Sequence, residues 1–121
     1  MASTLQTIHT NLGYLVVVVV LVATVLAYRA AATPPVSRLS SLTMVLLDVH
    51  VTVGIALYVV GGWWDGDALI AYAHPLIAVA ALGVGHAGLA RARRSGSSRV
   101  AAQGLLGTLG LVVAAVFVAS A

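Results

Sequence analysis

Four apolar stretches separated by short polar breaks organise the chain: Leu12 to Tyr28, Leu39 to Val60, Ala68 to Ala90 and Val100 to Ala119. Each approaches the roughly 20 residues that a helix needs to cross a hydrocarbon layer. The valine run from Val16 to Val20 would suggest a strand in water. In lipid a segment must satisfy its own backbone hydrogen bonds, which an isolated strand cannot do, so helix is the reading for all four. The pattern predicts an all-α, transmembrane up-down-up-down four-helix bundle, a single domain over 1–121 with spans at about 8–29, 39–60, 68–90 and 99–119.

The breaks carry turn chemistry: Thr33-Pro34-Pro35, then Gly61-Gly62-Trp63-Trp64-Asp65-Gly66-Asp67, then Arg91 to Arg99 with Ser95-Gly96-Ser97-Ser98 inside it. Loops this short make sequential helices antiparallel neighbours. No internal repeat is visible at the scale of 20 to 50 residues. Pro75 falls inside the third span if that span begins near Ala68, and it would free the Ala71 carbonyl and kink the helix.

Charge sets the expected orientation. Arginines 29 and 38 flank the first loop and 91, 93, 94 and 99 fill the third, while the middle loop holds two Asp, two Trp and no cation. The positive-inside rule places the arginine loops in the cytoplasm, both termini outside, and Trp63 and Trp64 at the outer interface of a membrane, with the bacterial inner membrane as the expected one. A cleavable signal over residues 1 to 32 is the lesser reading, because small residues at Ala30 to Ala32 follow an apolar core but a positive n-region is missing.

Of the 121 residues, 61% are hydrophobic and 7% charged, and the mean hydropathy is +1.09. A soluble domain carries about a quarter charged residues, so this balance excludes one and leaves no chain for a separate catalytic domain. The formal charge of +3 comes from six arginines against three aspartates and no lysine; it does not imply nucleic acid. With no cysteine, disulfides and thiolate metal sites are excluded. Redox work would need a bound cofactor. Phosphate-binding loops, HExxH, a serine elbow and paired carboxylates are all missing, and two methionines are too few for copper handling.

The informative side chains are the ionisable ones inside spans: His9, Asp48, His50, His74 and His86. Counting up from Arg29, Leu39 and Arg91 at about 1.5 Å per residue puts His9 about 30 Å, His74 about 26 Å, His50 about 17 Å and His86 about 8 Å from the arginine end. Only His9 and His74 come out level, on the diagonal pair of helices. Two opposed imidazoles there suit the axial positions of a b-type heme, with the porphyrin between helices. One turn after each histidine stands a small residue, Gly13, Gly54 and Ala78, which would let a porphyrin edge approach the backbone. His86 lies too far along its helix to share that iron. A second heme would have to use His86 with His50, a poor level match. His50 otherwise reads as a buried hydrogen-bonded histidine, and His86 as a group meeting a backbone carbonyl, a heme propionate, a quinone or the lipid boundary. Asp48, about 200° round the helix from His50, should reach another helix, as the orienter of a ligating histidine, as a proton relay, or as a protonated acid bonded to a hydroxyl. The fourth span has Gln103 and Thr108 as its notable polar groups, and Gly104, Gly107 and Gly110 give it a small-residue packing face.

The segments His9-Thr-Asn-Leu-Gly13-Tyr14, Asp48-Val-His50-Val-Thr-Val-Gly54-Ile-Ala-Leu-Tyr58 and His74-Pro-Leu-Ile-Ala-Val-Ala-Ala-Leu-Gly-Val-Gly-His86 resemble those of small four-helix membrane proteins described as cytochrome b-like. More distantly, the layout is similar to one four-helix half of heme A synthase. The resemblance implies a b-type heme with His9 and His74 as axial ligands, and it matches His86 to a further recurrent histidine. Relatives of this kind often carry Gln where His50 stands, which favours a packing role there. The buried Glu and the cysteines associated with the synthase are missing, so that activity is not implied. The expected function is electron transfer, or service as a heme-bearing respiratory subunit, with no independent catalytic activity beyond it. Expected partners are the lipid bilayer and a quinone or larger respiratory complex, with a homo-oligomer as a further assembly. Two rivals are a heme-free structural or assembly subunit, and a proton or small-solute carrier using Asp48 and the histidines.

Overall fold

The computed structural model describes residues 1–30 and 34–121; Ala31, Ala32 and Thr33, part of the first predicted break and of the signal-like stretch, lie outside the described residues. The described chain is all helical, with no strand. Its elements are α1 (Ala2–Arg29), α2 (Arg38–Gly61), a 3₁₀ turn (Trp63–Asp65), a π-turn (Leu69–Ala73), α3 (His74–Ser95) and α4 (Ser98–Ser120). The first helix starts six residues before the predicted span and carries the polar Ser3, Gln6 and Thr7 on its first turns.

Local chemistry explains the ends. The Ser37 side chain accepts from the Ser40 N–H at 3.0 Å and opens α2, and Ser97 does the same for α4 through the Val100 N–H at 3.3 Å. Gly62 and Gly96 close α2 and α3 with φ of 64° and 66°, a left-handed conformation that glycine adopts without a Cβ penalty. Pro75 does not produce a simple kink. The turn before it widens into a π-turn in which the His74 N–H bonds the Leu69 carbonyl, so the irregularity is absorbed ahead of the proline. Inside the helices Thr24, Thr43 and Thr52 each donate to the carbonyl four residues back at 2.7 Å, which satisfies hydroxyls in apolar surroundings.

The helices form a square in which α1 packs on α2 and α4, and α3 packs most extensively on α4. This leaves α1 and α3 on one diagonal, as predicted, and the seam between α2 and α3 as the sparsest. Val16, Val20, Met44, Leu47 and Leu105 are buried at the centre. Where α3 crosses α4 the glycines set the packing distance: a Cβ built on Gly88 of α3 would stand 2.6 Å from the Gly104 Cα of α4, and one built on Gly85 would strike Met44 and the Thr108 hydroxyl. Thr108, fully buried, donates to the Gly104 carbonyl at 3.0 Å and approaches the Ala81 carbonyl of α3 at 3.4 Å. Gly104 and Gly107 thus serve the close packing expected of this helix, whereas Gly110 faces open space.

The outer surface is apolar. Leu42, Leu76 and Phe117 are 64%, 70% and 73% exposed. All four helices are long and apolar enough to cross a membrane, with mean hydropathies of 1.5 to 2.3 over their most apolar windows. The first and third connections meet at one end, where Arg93 donates to Ser41 at 3.1 Å and Ser98 donates to the Ala30 carbonyl at 3.1 Å. All six arginines flank these connections, and the Trp63–Asp67 stretch occupies the opposite end.

Candidate functional site

Three histidines converge near the tryptophan end. His9 on α1 and His50 on α2 stack face to face, with ring centres 4.1 Å apart and planes 7° apart. His74, at the head of α3, stands edge-on to His9 with ring centres 6.0 Å apart and planes at 81°. A cavity of about 250 Å³ adjoins them, lined in part by Gln6, Thr10, Ile55, Tyr58, Trp63 and Ala78. Ile55 and Val79, both more than half exposed, line its rim on α2 and α3.

The level count places His50 well below His9, and their stacking overturns it. The count holds only if Arg29 and Leu39 start from one height; the stacked rings require those ends to be staggered by on the order of 10 Å. The register is set by two glycines. A Cβ built on Gly54 would lie 2.8 Å from His9 Cε1, and one built on Gly13 would lie 3.3 Å from His50 Cε1. Each histidine therefore lies over the glycine one turn beyond the other, so these glycines seat imidazoles and not the edge of a macrocycle. Ala78, one turn after His74, does line the cavity.

Hydrogen bonding distinguishes the three rings. His74 Nδ1 lies 3.0 Å from the Ala115 carbonyl of α4. A carbonyl only accepts, so Nδ1 carries the proton and Nε2 is left with a free lone pair. This is the arrangement by which a metal-ligating histidine is commonly oriented. The Nδ1 atoms of His9 and His50 are buried without a hydrogen-bond partner, which contradicts the reading of His50 as a hydrogen-bonded core histidine. Unpaired buried polar atoms are costly, and such atoms beside a cavity point to a missing partner.

The geometry also separates ligand pairs. Imidazoles stacked face to face at 4.1 Å direct their nitrogens sideways, and no metal fits between them, so His50 cannot share an ion with His9 in this arrangement. Two metal–nitrogen bonds of about 2 Å, plus about 1 Å from nitrogen to ring centre on each side, amount to roughly 6 Å. The His9 and His74 ring centres stand at about that separation, with their planes at 81°. Among the described residues no group of three or more His and Asp side chains is arranged to hold a metal ion unaided.

His86 lies outside the cavity. Its Nε2 donates to Asp48 Oδ1 at 2.8 Å, on the seam between α2 and α3, with side chains 54% and 43% exposed. His86 thus stands apart from the three converging histidines, and His50 and His86, expected as the pair for any second heme, face different neighbours. Asp48 does reach another helix, as its position predicts, but the histidine it engages is not one of the converging three. No signal in the sequence pairs residues 38 positions apart; the opposite faces of Asp48 and His50 exclude a shared ligand without naming the partner. The chain matches no known protein family, no curated protein and no solved structure.

Proposed function

We propose that this chain is an integral membrane protein in which His74 and His9 would hold one b-type heme, a group that would let it pass single electrons, by itself or as a subunit of a respiratory complex. The observation that carries this reading is the His74–Ala115 bond, which leaves Nε2 free on a ring standing 6.0 Å from His9. The donor chemistry fits: neutral imidazoles are heme ligands, and His9 has a buried nitrogen with no other partner. The cavity alone is smaller than a macrocycle. The remainder would have to enter past the half-exposed Ile55 and Val79, on the sparsely packed α2–α3 seam.

In this reading His74 is held by Ala115, His9 is braced by the stacked His50, and Gly54 provides the clearance that the His9 ring needs. Bound heme supplies a one-electron couple, and the protein supplies ligands and a low-dielectric cage that tune it. The apolar outer face, with Phe117 and Leu76 uncovered, supports the membrane location, and the arginine ends then face the cytoplasm.

The test is the reduced-minus-oxidised visible spectrum of protein expressed with ample heme and purified in detergent, with a pyridine hemochrome assay for stoichiometry. Sharp b-type bands at one heme per chain, lost on His74→Ala and on His9→Ala while helicity persists, are expected. A colourless, well-folded wild-type protein would remove the heme and leave the accessory-subunit reading in its place.

A further inference from the structure

Charge is distributed unevenly along the bundle axis. All six arginines flank the first and third connections, which meet at one end, and the acids of the chain are Asp48, Asp65 and Asp67. Asp65 and Asp67 belong to the connection at the opposite end, and Asp48 lies within α2, engaged with His86 at 2.8 Å. Among the described residues the arginine end therefore holds no carboxylate, and no arginine stands in an ion pair. Exposed guanidinium groups gathered without a counter-charge attract anions.

The seam between α2 and α3 gives this charge a definite geometry. Arg93 donates through Nη2 to Ser41 Oγ at 3.1 Å, which holds its guanidinium across the seam. A guanidinium carries five N–H donors, so four remain for another acceptor, and Ser41, which accepts from Arg93, keeps its own O–H to donate. Arg38 stands three residues before Ser41 and so on the same side of α2, and both arginines are exposed. The one acid on these two helices, Asp48, stands seven residues, about 10 Å, deeper than Ser41.

Beside this polar group the surface turns apolar: Leu42 and Val45 are 64% and 56% exposed, within a helix that qualifies as a membrane span. A ligand at this place meets cationic donors at the helix end and hydrocarbon directly beyond them. A phospholipid is built that way, with its phosphate above its acyl chains. It needs no cavity, since the tails stay in the bilayer and the protein grips the phosphate alone. Arginine suits that grip because its planar fork offers paired N–H groups to phosphate oxygens.

We propose that Arg38, Arg93 and Ser41 hold the phosphate of an anionic phospholipid at the arginine end of the α2–α3 seam, with its acyl chains along Leu42 and Val45. The site rests on the membrane location argued above, and neither on heme nor on which leaflet the arginine end occupies. A control is built into the fold. On the opposite edge of the square Ser98 donates to the Ala30 carbonyl, so the adjacent Arg29 and Arg99 carry their charge at the same end but away from the seam.

The test titrates the full chain in detergent with phosphatidylglycerol or phosphatidylcholine and counts bound lipid by native mass spectrometry. One phosphatidylglycerol should be held about tenfold or more tightly than phosphatidylcholine, whose choline cation the arginines repel. Arg38→Gln and Arg93→Gln, exposed substitutions that should leave helicity and thermal unfolding little changed, should each weaken retention about fivefold, and Arg99→Gln less than about twofold. Equal weakening by all three variants would overturn the proposal, because it would mean a diffuse attraction to the whole end with no seat at the seam. Equal retention of the two lipids would overturn it as well. So would displacement of phosphatidylglycerol by low-millimolar inorganic phosphate at constant ionic strength, which would assign the donors to a free anion. Flotation with phosphatidylcholine vesicles tests the membrane location separately: a chain that floats yet shows no preference for phosphatidylglycerol loses this site alone, and one that does not float loses the membrane location with it.

Discussion

His9 and His50 form a reciprocal pair: each imidazole stacks on the other and lies over the glycine four residues beyond its partner. Two His-x-x-x-Gly segments, one on each of two antiparallel helices, make this arrangement approximately two-fold. A glycine one turn after a histidine removes the side chain that would otherwise occupy the ring's place on the facing helix. The pair therefore fixes the register of α1 against α2 as well as the aim of His9.

The two glycines should differ in sensitivity. An alanine at Gly54 brings its Cβ to 2.8 Å from His9, closer than packing tolerates, whereas one at Gly13 meets His50 at 3.3 Å, a contact that a small shift relieves. In both cases the obstructed atom is the end of a side chain that can rotate, so the stability cost should be modest, about 1 kcal/mol or less. The ring of His9 must move, however. Gly54→Ala should lower bound heme several-fold and Gly13→Ala much less, read by pyridine hemochrome beside thermal unfolding of the same preparations. Equal heme content in the two variants would show that the seat of His9 does not govern binding.

A change at His50 separates packing from ligation. If its ring only braces His9, His50→Gln should retain b-type bands while weakening heme retention, because the amide can occupy part of the same space without supplying a metal ligand. His74→Gln should abolish the bands. The comparison is a heme-transfer assay to apomyoglobin, in which faster loss from His50→Gln, with its bands intact, is the expected result. Complete loss of pigment in His50→Gln would make His50 a ligand and reassign the axial pair.

Much of the architecture was legible because the bilayer reading restricts the choice so strongly: four apolar stretches, short breaks and the arginine asymmetry yield four antiparallel helices and the α1/α3 diagonal. The sequence singles out His9 and His74, and their rings stand side by side, with centres 6.0 Å apart. What failed was height. Distances along one helix follow from the sequence, but the stagger between helices depends on side-chain interlocking, here His9 with Gly54 and His50 with Gly13. The same ignorance of stagger hid the Asp48–His86 bond, in which two residues assigned to other roles satisfy one another. The π-turn before Pro75 was visible only as an expected disturbance, since a proline specifies which hydrogen bond is lost and not how the preceding turn adjusts.

The protonation pattern of His74 offers a test that needs no cofactor. The Ala115 carbonyl demands a proton on Nδ1, so ¹⁵N spectra of heme-free protein should show His74 as the Nδ1–H tautomer, which is the minor form of free histidine. A His74 signal in the Nε2–H form would mean that its free nitrogen is the other one and that the ring is not set to bind a metal through Nε2.

The crossing of α3 and α4 should respond differently from the histidine seats, because the obstruction there is backbone. An added Cβ at Gly88 meets Gly104 Cα at 2.6 Å, and one at Gly104 meets Gly88 Cα at 2.8 Å. No rotamer relieves either contact, so the helices must separate, at a cost of about 1–3 kcal/mol for each alanine. Once separated, they already accommodate the second methyl group. The double substitution should therefore cost clearly less than the sum of the singles, as expected for residues sharing one contact. Thermal unfolding in detergent of Gly88→Ala, Gly104→Ala and the double variant measures this directly. Strict additivity would mean that the two glycines act at independent places and that the close crossing does not hold α3 against α4. Gly88 is fourteen residues, about 21 Å, along the helix from His74, so any heme spectrum should keep its band positions in all three proteins.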